Sequence, residues 1–132
     1  MILLFPGVHE TMAPRRKTKT PARGDCYEAA GRFMMESCLH NSDCTYRLVH
    51  GEVAGQGPLE GITYGHGWVL DGETVIDRSN GRDLRVPKVL YYALGGISHI
   101  GNIHTYTWEE ARKLIVRYSH WGPWDLKTRS GL

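Results

Sequence analysis

The sequence predicts an α+β fold, in which an N-terminal Cys-bearing helix packs on a small antiparallel sheet and a further helix closes the C-terminal part. Three stretches carry this expectation. Residues 64 to 77, Tyr-Gly-His-Gly-Trp-Val-Leu-Asp-Gly-Glu-Thr-Val-Ile-Asp, read as two strands joined by a tight turn at Asp71-Gly72. Residues 26 to 37 contain no proline and follow Asp25, a residue type that favours helix N-caps. Thr107-Trp108-Glu109-Glu110 spells a capping box, with Thr107 as N-cap and Glu110 three residues on.

Length and composition narrow the class. A chain of 132 residues suits one domain with a real core. A hydrophobic share of 41% and a charged share of 23% are ordinary for a globular protein. The net charge of +2 is too small to argue for nucleic acid by itself. Three cysteines make a secreted disulfide scaffold a poor fit, which points to a reducing, cytoplasmic setting. No apolar run approaches a membrane span.

Taken in order, residues 1 to 23 read as a flexible tail interrupted by Pro6, Pro14 and Pro21. Arg15, Arg16, Lys17, Lys19 and Arg23 make its second half basic, the charge pattern of a solvated arm or, less favoured, of a nucleic-acid contact. Residues 24 to 132 form the single domain. In its first helix, Cys26, Ala30, Phe33, Met34 and Ser37 fall on one stripe. Cys26 sits in the first turn, where free N–H groups and the helix dipole favour a thiolate. A small buried hydrophobe is the other reading of such a cysteine.

Cys38 to Cys44 is the loop leaving this helix. Its cysteines and His40 match no standard zinc spacing, so they read as two ordinary thiols in a mobile loop, and no metal or other cofactor is expected. Residues 46 to 53 read as a strand. The loop at 55 to 61 is glycine-rich but lacks a phosphate-loop pattern, and Gln56 is its one side chain able to donate hydrogen bonds. The central hairpin follows. With Leu70 and Glu73 flanking its turn, Trp68 faces Val75 and His66 faces Asp77. Ile62, Tyr64, His66, Trp68 and Leu70 then share a face with Val75 and Asp77, while Gly65 and Gly67 leave room for backbone on the other.

After Asp77, residues 78 to 82 form a turn. Val86-Pro87 opens a short helix over 88 to 94, closed by Gly95-Gly96. Residues 101 to 106 suggest another strand. The last helix runs from the capping box to about His120, burying Trp108, Ala111, Leu114, Ile115 and Tyr118 and exposing Arg112, Lys113 and Arg117.

The chemistry rests on three residues. A histidine held by a carboxylate across a hairpin lacks only a nucleophile to form a triad, and Cys26 supplies one. The order Cys26 in Gly-Asp-Cys-Tyr-Glu-Ala-Ala, His66 in Tyr-Gly-His-Gly-Trp-Val and Asp77 in Val-Ile-Asp-Arg-Ser resembles the papain-like superfamily, above all its transglutaminase-like branch. The resemblance covers residues 24 to 81 in order and spacing. It implies a papain-like core and a thiol enzyme, whether peptidase, amidase, deamidase or acyltransferase, working through a thioester on a peptide or amide substrate. The chain departs from papain in having no Gln or Asn before Cys26, so the usual side-chain oxyanion donor is missing. The Cys26 backbone N–H can be one donor. Gln56, Tyr64 and Asn80 are candidates for the second, and Trp68 is a further substrate-contact candidate.

Each member also has a structural reading. His66 can be a core histidine satisfied by Asp77, and Asp77 can cap the turn at Ser79-Asn80. The alternative function is a non-catalytic binding module of the same fold that inhibits or recruits a host protein or nucleic acid. Seven tyrosines and four tryptophans, with Arg78, Arg82 and Arg85 nearby, would supply its surface. A metal-dependent nuclease is disfavoured by the lack of clustered carboxylates.

Overall fold

The computed structural model describes residues 25 to 55, 57 to 97 and 102 to 127; the basic arm expected over residues 1 to 23 lies outside them. The described chain runs α1 (Cys26–Cys38), β1 (Arg47–Ala54), β2 (Thr63–Asp71), β3 (Thr74–Asp77), β4 (Leu84–Pro87), α2 (Lys88–Leu94), β5 (Ile103–Thr107) and α3 (Trp108–Tyr118). The five strands make one antiparallel sheet in the order β4-β3-β2-β1-β5. The fold is α+β, as expected.

Side-chain alternation gives this sheet two covered faces. On one, Val49, Val53, Trp68, Leu70, Val75, Leu84 and Val86 pack beneath Tyr91 and Tyr92 of α2. On the other, Leu48, Val69, Ile76 and Tyr106 meet Ala30, Met34 and Cys38 of α1 and Ala111 of α3. β2 is therefore buried on both sides along nearly its whole length. Trp68, fully buried against Tyr91 and Tyr92 at ring-centroid distances of 5.6 and 5.7 Å, anchors the first face. Truncating a side chain so placed costs about 3–5 kcal/mol. Gly67 turns to the second face, where an added Cβ would lie 3.1 Å from the Tyr27 ring and 3.4 Å from its backbone. That is the close approach the glycine allows.

The hairpin turn is displaced from its expected place. Asp71 pairs with Thr74, Leu70 with Val75 and Val69 with Ile76, so the turn residues are Gly72 and Glu73 rather than Asp71 and Gly72. Gly72 has φ +58° and Glu73 is not among the residues of positive φ, as in a type II′ turn. That turn needs one left-handed residue, and it spares Asp71 the conformation a turn centred there would impose. The change moves each strand's partner by two residues. Two is the period of a strand, so Tyr64, His66, Trp68 and Leu70 keep the same face as Val75 and Asp77.

Three further expectations change. Cys38 and Cys44 are not separate thiols but a disulfide, with Cα atoms 5.3 Å apart. The loop between them turns back on itself through Asn41 N–H to the Cys38 carbonyl and Cys44 N–H to the Asn41 carbonyl, which brings the sulfurs together. β4 was not legible as a strand, because Leu84 and Val86 give it only two inward positions. α3 starts with the expected reciprocal capping box, Glu110 N–H to Thr107 Oγ1 at 3.1 Å and Thr107 N–H to Glu110 Oε1 at 2.8 Å. It ends at Tyr118, where Ser119 caps it at φ 58°. Among its apolar residues Ala111 alone is fully buried, and Tyr118 is 49% exposed beside His120 and Arg117.

Candidate active site

β3 ends at Asp77 and pairs with β2 only over residues 69 to 71, so among the described residues the earlier half of β2, which carries His66, has no strand beside it on that edge. The start of α1 comes to this gap. Asp25 holds the N-cap position but makes no side-chain cap bond. Its carboxylate engages the backbone N–H of Asn80 instead, tying the helix start to the turn that follows β3; burial pushes the carboxyl up, against that bond. Cys26, from a helix on the second face, thereby reaches a histidine on the first.

Asp77 is the hub of the site. Its Oδ2 accepts from His66 Nε2 at 3.0 Å and from the Tyr91 hydroxyl at 2.7 Å. Its Oδ1 accepts from the Ser79 backbone N–H at 2.9 Å and from Ser79 Oγ at 2.6 Å. The carboxylate is thus both the partner of His66 and the cap of the turn, so the two readings of Asp77 hold together. Burial works against its charge, yet His66 and the Ser79 donors win and hold the carboxyl well below the usual range.

An ionised carboxylate only accepts, so the proton on the shared bond belongs to His66 Nε2. That leaves Nδ1 for Cys26, whose side chain shares a hydrogen bond with the ring. Burial by itself would lower the His66 pKa; the Asp77 charge and bond, with Cys26 adding to them, reverse this and raise it above the imidazole norm. Trp68 stacks near His66, with centroids 6.1 Å apart and planes 28° from parallel. The three members are closed in: Cys26 is 8%, His66 3% and Asp77 4% exposed. Cys26 is the chain's one free cysteine.

The other candidates divide. Trp68 has no exposed surface in this structure, its ring lying in contact order between His66 and the α2 tyrosines Tyr91 and Tyr92. Asn80 is exposed in the left-handed region at φ 57°, its backbone N–H committed to Asp25. Gln56 lies outside the described residues. Tyr64 is buried on the His66 face, its ring edge-on to His66 at 6.3 Å. Tyr91 was missed by sequence reasoning, since a tyrosine in a short helical segment carries no signal of which strand it will meet. So was His50, fully buried on the second face among Tyr27, Tyr106 and Trp124, its ring 4.9 to 5.3 Å from theirs. Among the described residues no three His, Cys, Asp or Glu side chains cluster to hold a metal. Nor is any described helix long and apolar enough to cross a membrane.

Fold and site together define an α+β structure with a buried, hydrogen-bonded Cys–His–Asp line on its central strand, beyond the stretch that β3 pairs with. No protein-family model, curated protein or solved structure matches the chain.

Proposed function

We propose that this protein is a cysteine-dependent acyl-transfer enzyme of papain-like, transglutaminase-like type, acting on an amide or peptide bond. The observation that carries the reading is the continuous line from Cys26 through His66 to Asp77. His66 Nδ1 takes the thiol proton, and the raised proton affinity of the ring suits it to that role. Asp77 holds Nε2–H in place and stabilises the imidazolium. The Cys26 sulfur attacks the acyl carbon, and the carbonyl electrons move onto oxygen, facing the Cys26 backbone N–H. Collapse expels the amine, which takes its proton from His66, and leaves a thioester. Water or a second amine resolves the thioester, so hydrolysis, deamidation and acyl transfer share this half-reaction. A free nucleophilic thiol fits the cytoplasmic setting, although the Cys38–Cys44 bridge is more at home in oxidising surroundings.

The test is covalent. Incubation with p-nitrophenyl acetate should release p-nitrophenolate in a burst and leave one acetyl group on Cys26, detected by peptide mass spectrometry. Cys26→Ala should lose the adduct, and His66→Ala should slow its formation on the order of 10²–10⁴-fold. An unmodified Cys26 would leave the second reading, a binding module of the same fold that engages a host protein or nucleic acid. The small exposure of the three residues is the observation that favours it.

A further inference from the structure

The site contains one polar group that the line of three does not use. Tyr64 lies two residues before His66 on β2, on the same face, and its hydroxyl is buried with no hydrogen-bond partner among the described residues. A buried donor left unmade is costly, about 1–3 kcal/mol, so an orphan of this kind calls for an explanation. His50 and Glu52 also carry buried atoms with no hydrogen-bond partner among the described residues. Tyr64 differs from them in place: its ring edge meets His66, and its hydroxyl lies within charge range of both Cys26 and Asp77.

Resting on the acyl-transfer reading, we infer that the Tyr64 hydroxyl is the second oxyanion donor, completing a pair with the Cys26 backbone N–H. The sequence supplies no Gln or Asn before Cys26 for this task. Burial first, then the Asp77 and Cys26 charges, push the phenol well above its ordinary value, so it remains a donor at any working pH. When the Cys26 sulfur bonds to the acyl carbon, the carbonyl electron pair moves onto oxygen, and that oxygen accepts from Tyr64 O–H. The pair returns as the leaving group departs. The donor is idle in the resting enzyme and engaged only as charge develops, which is the arrangement that lowers a barrier rather than tightening ground-state binding.

The test separates attack on carbon from formation of an oxyanion. Iodoacetamide alkylates a thiolate by displacement at a saturated carbon, with no oxyanion, whereas p-nitrophenyl acetate must pass through one. Tyr64→Phe should alkylate at Cys26 within about twofold of the wild-type rate and acetylate about 10²-fold more slowly. It should melt at the same temperature or higher, since it discards a hydroxyl that bonds to nothing. Unchanged acetylation overturns the inference and leaves the parent reading standing. Equal slowing of both reactions also overturns it, because Tyr64 would then act on the thiol. A lower melting temperature, or failure to fold, overturns it by assigning the hydroxyl a structural partner. If the wild-type enzyme is not acetylated at all, the acyl-transfer reading itself falls and takes this one with it.

Discussion

Tyr91 and Asp77 are joined by a 2.7 Å hydrogen bond that fastens α2 to the end of β3. The phenol shares Oδ2 with His66 Nε2, so one oxygen takes a donor from a helix and a donor from a strand. The Asp77 carboxylate is held on four sides, by Tyr91, His66 and two groups of Ser79. A carboxylate fixed in this way fixes the imidazole plane, and with it the direction of Nδ1 towards Cys26.

Tyr91→Phe should therefore lower stability by roughly 1.5–3 kcal/mol, the range for a hydrogen bond to a charged group. Urea unfolding measures the loss. Acetylation of Cys26 should slow as well, because Asp77 would be freer to turn. A variant as stable as the wild type would mean that the bond is not made in solution.

Asp77→Asn keeps the shape of the side chain but not its bonding. The amide oxygen can still accept from Ser79, while the amide nitrogen would present donors to Tyr91 and His66, which themselves donate there. We expect a stability loss of about 1–3 kcal/mol. His66 would be turned to the tautomer protonated at Nδ1, with a fall in acetylation rate on the order of 10⁴. Retention of full rate would make Asp77 a turn cap alone.

The pH dependence of stability has two opposed parts. Asp77 titrates below its usual range, so its contribution is present above about pH 4 and is lost as pH falls through its folded value. His66 titrates above its usual range, so its contribution is complete below about pH 6.5 and is lost as pH rises through its folded value. The pair therefore helps most between these limits. His50 runs opposite to His66. Burial, with the charge of its cross-strand partner His104 behind it, pushes its pKa down to about 3, and neither ring nitrogen has a partner among the described residues. Its contribution is complete above about pH 6.5 and drains away as pH falls towards its folded value. His50→Leu should thus melt higher than wild type, with a margin that grows from pH 7 to pH 4. A margin constant across that range would sink this account of His50.

The Cys38–Cys44 bridge closes a short loop, six residues apart in sequence. Chain-entropy arguments give such a loop about 2 kcal/mol. The double variant Cys38→Ala, Cys44→Ala should lose about that much by chemical denaturation. It should keep the Cys26 acetylation rate, because the bridge joins the far end of α1. A large drop in rate would mean that the bridge orients the whole helix.

The local pattern of the sequence determined the elements that depend on neighbours: α1 from Cys26, the alternating faces of β2 and β3, the capping box of α3. It also brought together His66 and Asp77, because a two-residue change of register leaves strand faces unaltered. What only the tertiary structure decided depends on contacts between distant segments. The gap beyond the end of β3 lets Cys26 reach His66, and α2 delivers the Tyr91 hydroxyl to Asp77. The packing of α1, β5 and the segment around Trp124 closes over His50. A turn read one residue away from its place, between Asp71-Gly72 and Gly72-Glu73, was settled by the left-handed conformation Gly72 accepts and Asp71 avoids. Periodicity fixes which way a side chain faces along its own strand; which partner waits there is set by how the sheet's edges and the helices close on one another.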